Sequence, residues 1–193
     1  MDIILGSSSP FRAQVLREAG FTFTVIRPDI DEKLISKGIL SPNTLVLKLA
    51  HAKAEAILQR RPPAGFLITS DQVVVSDGQI LEKPSSPTEA RARLVDYWQN
   101  PPMTYTAVVV TNTKTRAQAV AVDRACVLFR QISKKAIDGA LRRGTIMDCC
   151  GAFDIDDPDL KPFIEAINGD RTSVLGMPIA TVKLLLGALD YKF

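Results

Sequence analysis

The chain has 193 residues, 46% of them hydrophobic and 23% charged, with a formal net charge of +3. That balance suits one substantial globular domain or two small lobes and excludes a disordered or collagen-like polymer. The mild basicity admits an anionic ligand but lacks the Lys/Arg block that a nucleic-acid polymer would call for.

Taken in chain order, Ile3 to Leu5 reads as a short buried strand and Gly6 to Ser9 as a loop. Ser9 is placed to N-cap a helix, Pro10 suits its first position and Gly20 ends it. "FTFTVIRP" alternates like a half-buried strand and runs into an acidic loop, "PDIDE". Ser41 and Pro42 open a second helix that reaches about Arg60, where "PPAG" stops it. "FLITSDQVVVSDGQI" holds two strand-like runs around an Asp77-Gly78 hairpin turn. Ser86 and Glu89 form a capping box with Pro87 between them. "MTYTAVVVTN" and "AQAVAVDRACVLFRQ" are two long strands joined by a polar turn. Ser133 caps a helix ended by Gly144, "DPDLKPFIEAING" reads as a short helix, and Met177-Pro178 opens a last helix to about Asp190. The order implies a mixed α/β chain, two lobes on one continuous sheet.

Cys126, Cys149 and Cys150 show no C-x-x-C metal spacing, and the adjacent pair is poorly placed for a mutual disulfide. No apolar run approaches the roughly 20 residues needed to span a bilayer, and no leader-like start is read. A reducing, cytoplasmic setting is therefore expected.

The stretch "ILGSSSPFRAQVL" joins a strand, a small-residue loop and a helix N-terminus, which together make an anion site. Ser7, Ser8 and Ser9 offer hydroxyl donors. Arg12 lies in the first turn, where the helix dipole disfavours a cation unless an anion sits in front of it. The alternative is a serine-rich turn with a solvated arginine. On the second helix Leu45, Val46, Leu49, Ala50, Ala56 and Ile57 share an arc of roughly 140°, and Lys53 falls near its middle. A lysine there must snorkel or meet an anion. His51, the one histidine, lies on the polar face and rules out a multi-histidine metal site. "FLITSDQ" ends a buried strand on Ser70-Asp71, a position that faces the ligand crevice of an α/β sheet. Lys83 follows in "LEKP" and Glu32 stands in "PDIDE". Taken singly, these read equally as a turn-capping acid, a surface lysine and a solvated loop acid. Taken together, acids for a hard divalent cation, basic side chains and a helix N-terminus match polyphosphate chemistry.

These residues, in this order, resemble the Maf family of nucleotide pyrophosphatases. The resemblance runs from "LGSSSPFR" through Asp31-Glu32, "LAHAKA", Ser70-Asp71-Gln72 and Lys83-Pro84 to "DCCGAF" and "NGDRTSVLGMPI". It implies a Maf/ITPase-like elongated mixed sheet with surrounding helices, one domain over 1–193 with two lobes and a central cleft. It also implies a homodimer. The implied reaction hydrolyses a nucleoside triphosphate to its monophosphate and pyrophosphate with Mg²⁺ or Mn²⁺. Carried over, Ser7, Ser9 and Arg12 hold phosphates, and Glu32 and Asp71 bind the metal, with Asp71 favoured as base. Lys53 and Lys83 neutralise phosphate charge. Gln72 joins the substrate-binding set, and so does Phe11 as a stacking partner for the base, its alternative being a core residue of the first helix. Phe11 stands where many members have a first of two arginines, and "SDQV" and Cys150 also depart from many members. These departures resemble the branch that prefers 7-methyl-GTP and some pyrimidine triphosphates (UTP, CTP) over the dTTP/UTP branch. Two rival readings are a nucleotide-binding regulatory protein linked to cell division and a phosphatase that releases orthophosphate.

Overall fold

Strand pairing changes character across one seven-stranded sheet, with the order β2-β1-β3-β5-β6-β7 and β4 beside β3. The computed structural model describes residues 2–38 and 41–193. The N-terminal half is parallel: β1 (Asp2–Gly6) lies between β2 (Phe23–Val25) and β3 (Gly65–Ser76). Two helices make these connections, α1 (Pro10–Glu18) and α3 (Pro42–Gln59). The other half is antiparallel, with β3 against β5 (Met103–Asn112), β5 against β6 (Gln118–Phe129) and β6 against β7 (Ile164–Asn168). The expected mixed α/β fold, a mixed sheet flanked by helices, is therefore what the chain forms.

Serine caps begin the helices as their spacing implies. Ser9 accepts the N–H of Arg12, Ser41 that of Thr44 and Ser133 that of Ala136. Ser86 likewise accepts the Glu89 N–H at the start of α4 (Pro87–Asp96), but the reciprocal half of the box is shifted. Glu89 Oε2 takes the N–H and hydroxyl of Ser85 instead, at 2.7 and 2.6 Å. The Asp77-Gly78 turn joins β3 to β4 (Gln79–Leu81), and both turn residues have positive φ, as a type I′ hairpin requires. Gly144 ends α5 (Lys134–Arg143) in the left-handed region.

Four expectations are corrected. The acidic "PDIDE" stretch is not all loop: Asp31 caps a short helix, α2 (Glu32–Ser36), by accepting the Leu34 N–H. "DPDLKPFIEAING" is not a helix. Pro162 has no N–H, so a helix from Asp157 cannot run through it; only the short 3₁₀ turn Lys161–Phe163 forms, and the open edge of β6 takes the following residues as β7. A bulge at Leu128/Phe129 accommodates the extra residue there. The last helix, α7 (Ile179–Gly187), stops short of Asp190, and a one-turn helix, α6 (Arg171–Val174), precedes it. Finally, the strand through Asp71 does not end there but continues to Ser76.

Three buried clusters hold the layers. Ile4, Leu67, Val73 and Val109 pack beneath the apolar face of α3. Leu5, Phe66, Ile68 and Val110 pack on the opposite face with α1 and α7. Leu94, Tyr97, Val127, Phe129, Ile137 and Phe153 form the core of the antiparallel half. The buried face of α3 is wider than the predicted stripe, because Ala54 and Leu58 are buried as well.

Candidate active site

The site sits where β1 runs out. β1 pairs with β3 only as far as Gly6 opposite Thr69, and β4 takes up that edge again at Val74. Between them the edge of β3 over residues 70–73 has no paired strand among the described residues, and the loop after β1 opens beside it. A gap of this kind, at the carboxyl end of a parallel strand, is where α/β sheets bind ligands. A cleft of about 610 Å³ fills it, within the size range of ligand pockets.

Alternation along β3 sends its side chains to different partners. Thr69, Asp71 and Val73 face α3, while Ser70 and Gln72 face the segment before α7. The Thr69 hydroxyl donates to the Ala50 carbonyl at 2.8 Å, fixing α3 one turn from Lys53. Lys53 is buried, as its place on the apolar face requires, and it does not snorkel. Its ammonium donates to Asp71 Oδ1 at 2.5 Å and lies 2.8 Å from Glu32 Oε1. Burial pushes the Asp71 carboxyl above the ordinary carboxylate value; the Lys53 and Arg12 charges oppose that shift without reversing it.

Every side chain that the sequence singled out for the site lines this cleft: Ser7, Ser9, Phe11, Arg12, Glu32, Lys53, Asp71, Gln72 and Lys83. Ser7 is buried and its Oγ accepts the Ser9 N–H at 3.1 Å, so its own hydroxyl proton is left to donate. Arg12 donates through Nε to the Gly176 carbonyl at 3.1 Å. Among the described residues no carboxylate pairs with Arg12 or Lys83. Phe11 is 37% exposed at the cleft and belongs to no buried core cluster, so its reading as a core residue of the first helix is overturned.

Several lining residues were not singled out one by one from the sequence: Thr145, Asp148, Cys149, Phe153, Asp154 and Gly176. Most belong to the "DCCGAF" and "LGMPI" stretches, whose order along the chain was their one signal. Cys150 lines the cleft too. Burial pushes the Cys149 thiol up to about 12 and raises Cys150 as well, so neither is a thiolate nucleophile near neutral pH.

Among the described residues no group of three or more His, Cys, Asp and Glu side chains gathers as a metal cage. Glu32 and Asp71, held on one ammonium, do fit a Mg²⁺-type ion, which takes one or two carboxylates and completes its shell with water and substrate phosphates. No helix among the described residues is long and apolar enough to cross a membrane.

Comparison with known proteins places this geometry in company. A family model described as "Maf-like protein" matches residues 2–189. The chain is 36% identical to a 7-methyl-GTP pyrophosphatase of Dictyostelium discoideum, covering 97% of each chain. It is also 36% identical to a dTTP/UTP pyrophosphatase of Shewanella denitrificans, covering 98% of this chain and 96% of that one. A solved nucleoside-triphosphatase / dITP/XTP pyrophosphatase of Mycobacterium abscessus aligns over 68% of this chain and 74% of that one at 12% identity. Its TM-score of 0.41 is too low to bear on mechanism.

Proposed function

The chain belongs to the Maf family, and from that premise we propose that it hydrolyses a nucleoside 5′-triphosphate to the monophosphate and pyrophosphate. The observation that carries this reading is the buried Lys53 ammonium between Glu32 and Asp71, at the floor of a cleft into which Arg12 and Lys83 also open. Relatives with both kinds of substrate name support the reaction type.

Asp71 holds the attacking water and takes its proton. Its raised pKa makes it a stronger base than an ordinary carboxylate. Water oxygen bonds to the α-phosphorus as the bond to the α–β bridging oxygen breaks, and pyrophosphate departs with that electron pair. Lys53 and Lys83 neutralise the departing charge, Arg12 clamps the phosphates, and the Ser7 and Ser9 hydroxyls donate to phosphate oxygens. Glu32 and Asp71 would hold a Mg²⁺ or Mn²⁺ ion, which would supply charge neutralisation on the phosphates.

Phe11, exposed at the cleft, would stack on the base, which favours a cationic base such as 7-methylguanine. With Gln72 and Cys150 it supports 7-methyl-GTP as the first substrate to try, ahead of UTP and CTP. We read the core of the antiparallel half and the two cores around the parallel half as two lobes of one domain over 1–193, and propose that it acts as a homodimer in the cytoplasm.

The test is incubation with Mg²⁺ and, separately, Mn²⁺ across 7-methyl-GTP, UTP, CTP, dTTP and ITP, with pyrophosphate and orthophosphate measured separately. Pyrophosphate with equimolar monophosphate is expected. Orthophosphate alone would support the phosphatase rival, and nucleotide binding without product would support the regulatory one.

A further inference from the structure

Arg12 carries a cation in the first turn of α1, against the helix dipole, and the structure shows what holds it there. Its Nε–H donates to the carbonyl of Gly176, 164 residues away in the chain. The same carbonyl accepts the buried Ser70 hydroxyl at 3.0 Å. A guanidinium is planar and delocalised, so pinning Nε–H fixes the plane of the whole fork. The edge made by its two terminal nitrogens then remains for a bidentate contact with phosphate.

Gly176 is shaped for this contact. Its φ is +84°, and a Cβ there would stand 3.2 Å from Arg12 Nε and 3.5 Å from Gln72 Oε1. The segment that carries it is tied to β3 by Gln72. The Gln72 Nε2 donates to the carbonyls of Ser173 and Val174 at 2.7 and 3.2 Å, and to Thr106 Oγ1 at 2.9 Å. An amide –NH₂ has two protons, so these protein acceptors occupy its donors fully. The Thr106 hydroxyl adds a bond to the Ser173 carbonyl at 3.0 Å.

We propose that Gly176 and Gln72 are positioning residues for Arg12: through the Asp170–Gly176 segment they set the guanidinium plane so that its free edge meets the triphosphate. Gln72 thus acts through Arg12 and not by touching substrate. The inference rests on the reading of Arg12 as a phosphate ligand, and its test is separable from the test of catalysis.

The test is a double-mutant cycle of Gly176→Ala and Arg12→Ala, read as the Kd of inorganic tripolyphosphate by calorimetry at fixed Mg²⁺. Arg12→Ala is expected to weaken binding by about tenfold or more, the loss of a charge-assisted hydrogen bond. Gly176→Ala alone is expected to weaken it several-fold, and to add nothing in the Arg12→Ala background. Equal losses from Gly176→Ala in both backgrounds would overturn the proposal, as would unchanged binding by Arg12→Ala. Gln72→Met, which removes the donors at similar length, is run through the same cycle, so the outcome stands even where Gly176→Ala does not fold. Failure of wild type to release pyrophosphate from any triphosphate would instead remove the catalytic reading while this cycle still reports on Arg12.

Discussion

The Lys53 ammonium is nearly buried between two carboxylates, so removing it leaves buried Asp71 beside half-exposed Glu32 with only the Arg12 charge opposing the repulsion. Lys53→Ala is expected to lower kcat by about 10²-fold or more, the scale of one preorganised electrostatic contact. It should also move the acid limb of the pH–rate profile upward, because like charge and burial both raise Asp71. Steady-state kinetics across pH check both effects. Asp71 also carries a stability signature. Its folded-state pKa is raised by burial above the ordinary 3.8, so its contribution to stability is full below that value and is lost as pH rises through the folded pKa. Wild type should therefore lose stability relative to Asp71→Asn as pH increases from about 4 toward neutral. Parallel thermal melts measure the difference, and a constant offset would contradict the shift.

At the scale of elements, a half-buried ion pair between Arg143 and Asp157 holds one wall of the cleft. Asp157 is buried and accepts from Arg143 Nε at 3.0 Å and Nη2 at 2.8 Å, and from the N–H groups of Asp159 and Leu160. This anchors α5 to the stretch just after Phe153, Asp154 and Ile155, which line the cleft. Burial alone would raise the Asp157 carboxyl, but Arg143 and the two N–H groups hold it below the ordinary range. Its stability is thus present above the unfolded pKa and lost as pH falls through the folded one. Asp157→Ala is expected to destabilise the fold by about 2 kcal/mol, since the Asp159 N–H loses its acceptor, Arg143 keeps only the Asp159 carboxylate and the Leu160 N–H only the Asp157 carbonyl. Denaturant melts check this, and the same variant should raise KM for the nucleotide more than Kd for tripolyphosphate. Local signals in the sequence marked most elements: the serine caps, Asp77-Gly78 and the polarity of α3 all held. β7 was not legible, because Ile164–Asn168 is a strand only through the edge of β6 that it meets. The candidate site was legible where one residue contradicted its surroundings, as Lys53 did on an apolar face. Gly176 was not, because its partner Arg12 is fixed by tertiary folding alone.

Across the whole molecule, the break between parallel and antiparallel halves of the sheet gathers Ser7, Arg12, Glu32, Lys53, Asp71 and Lys83 from far-apart stretches of chain. On the proposed reading, Glu32 and Asp71 would hold a divalent ion together with the substrate phosphates. Chelation by EDTA should abolish turnover without lowering the melting temperature of the nucleotide-free protein. A fall in that temperature would reveal a structural metal instead. The most direct test of the central claim is a phosphorus NMR time course of triphosphate hydrolysis by wild type, Lys53→Ala and Asp71→Asn, each shown folded by circular dichroism. The account predicts pyrophosphate and monophosphate from wild type and at least about a hundredfold slower release from both variants. Orthophosphate as the first product, or undiminished rates in both variants, would contradict it.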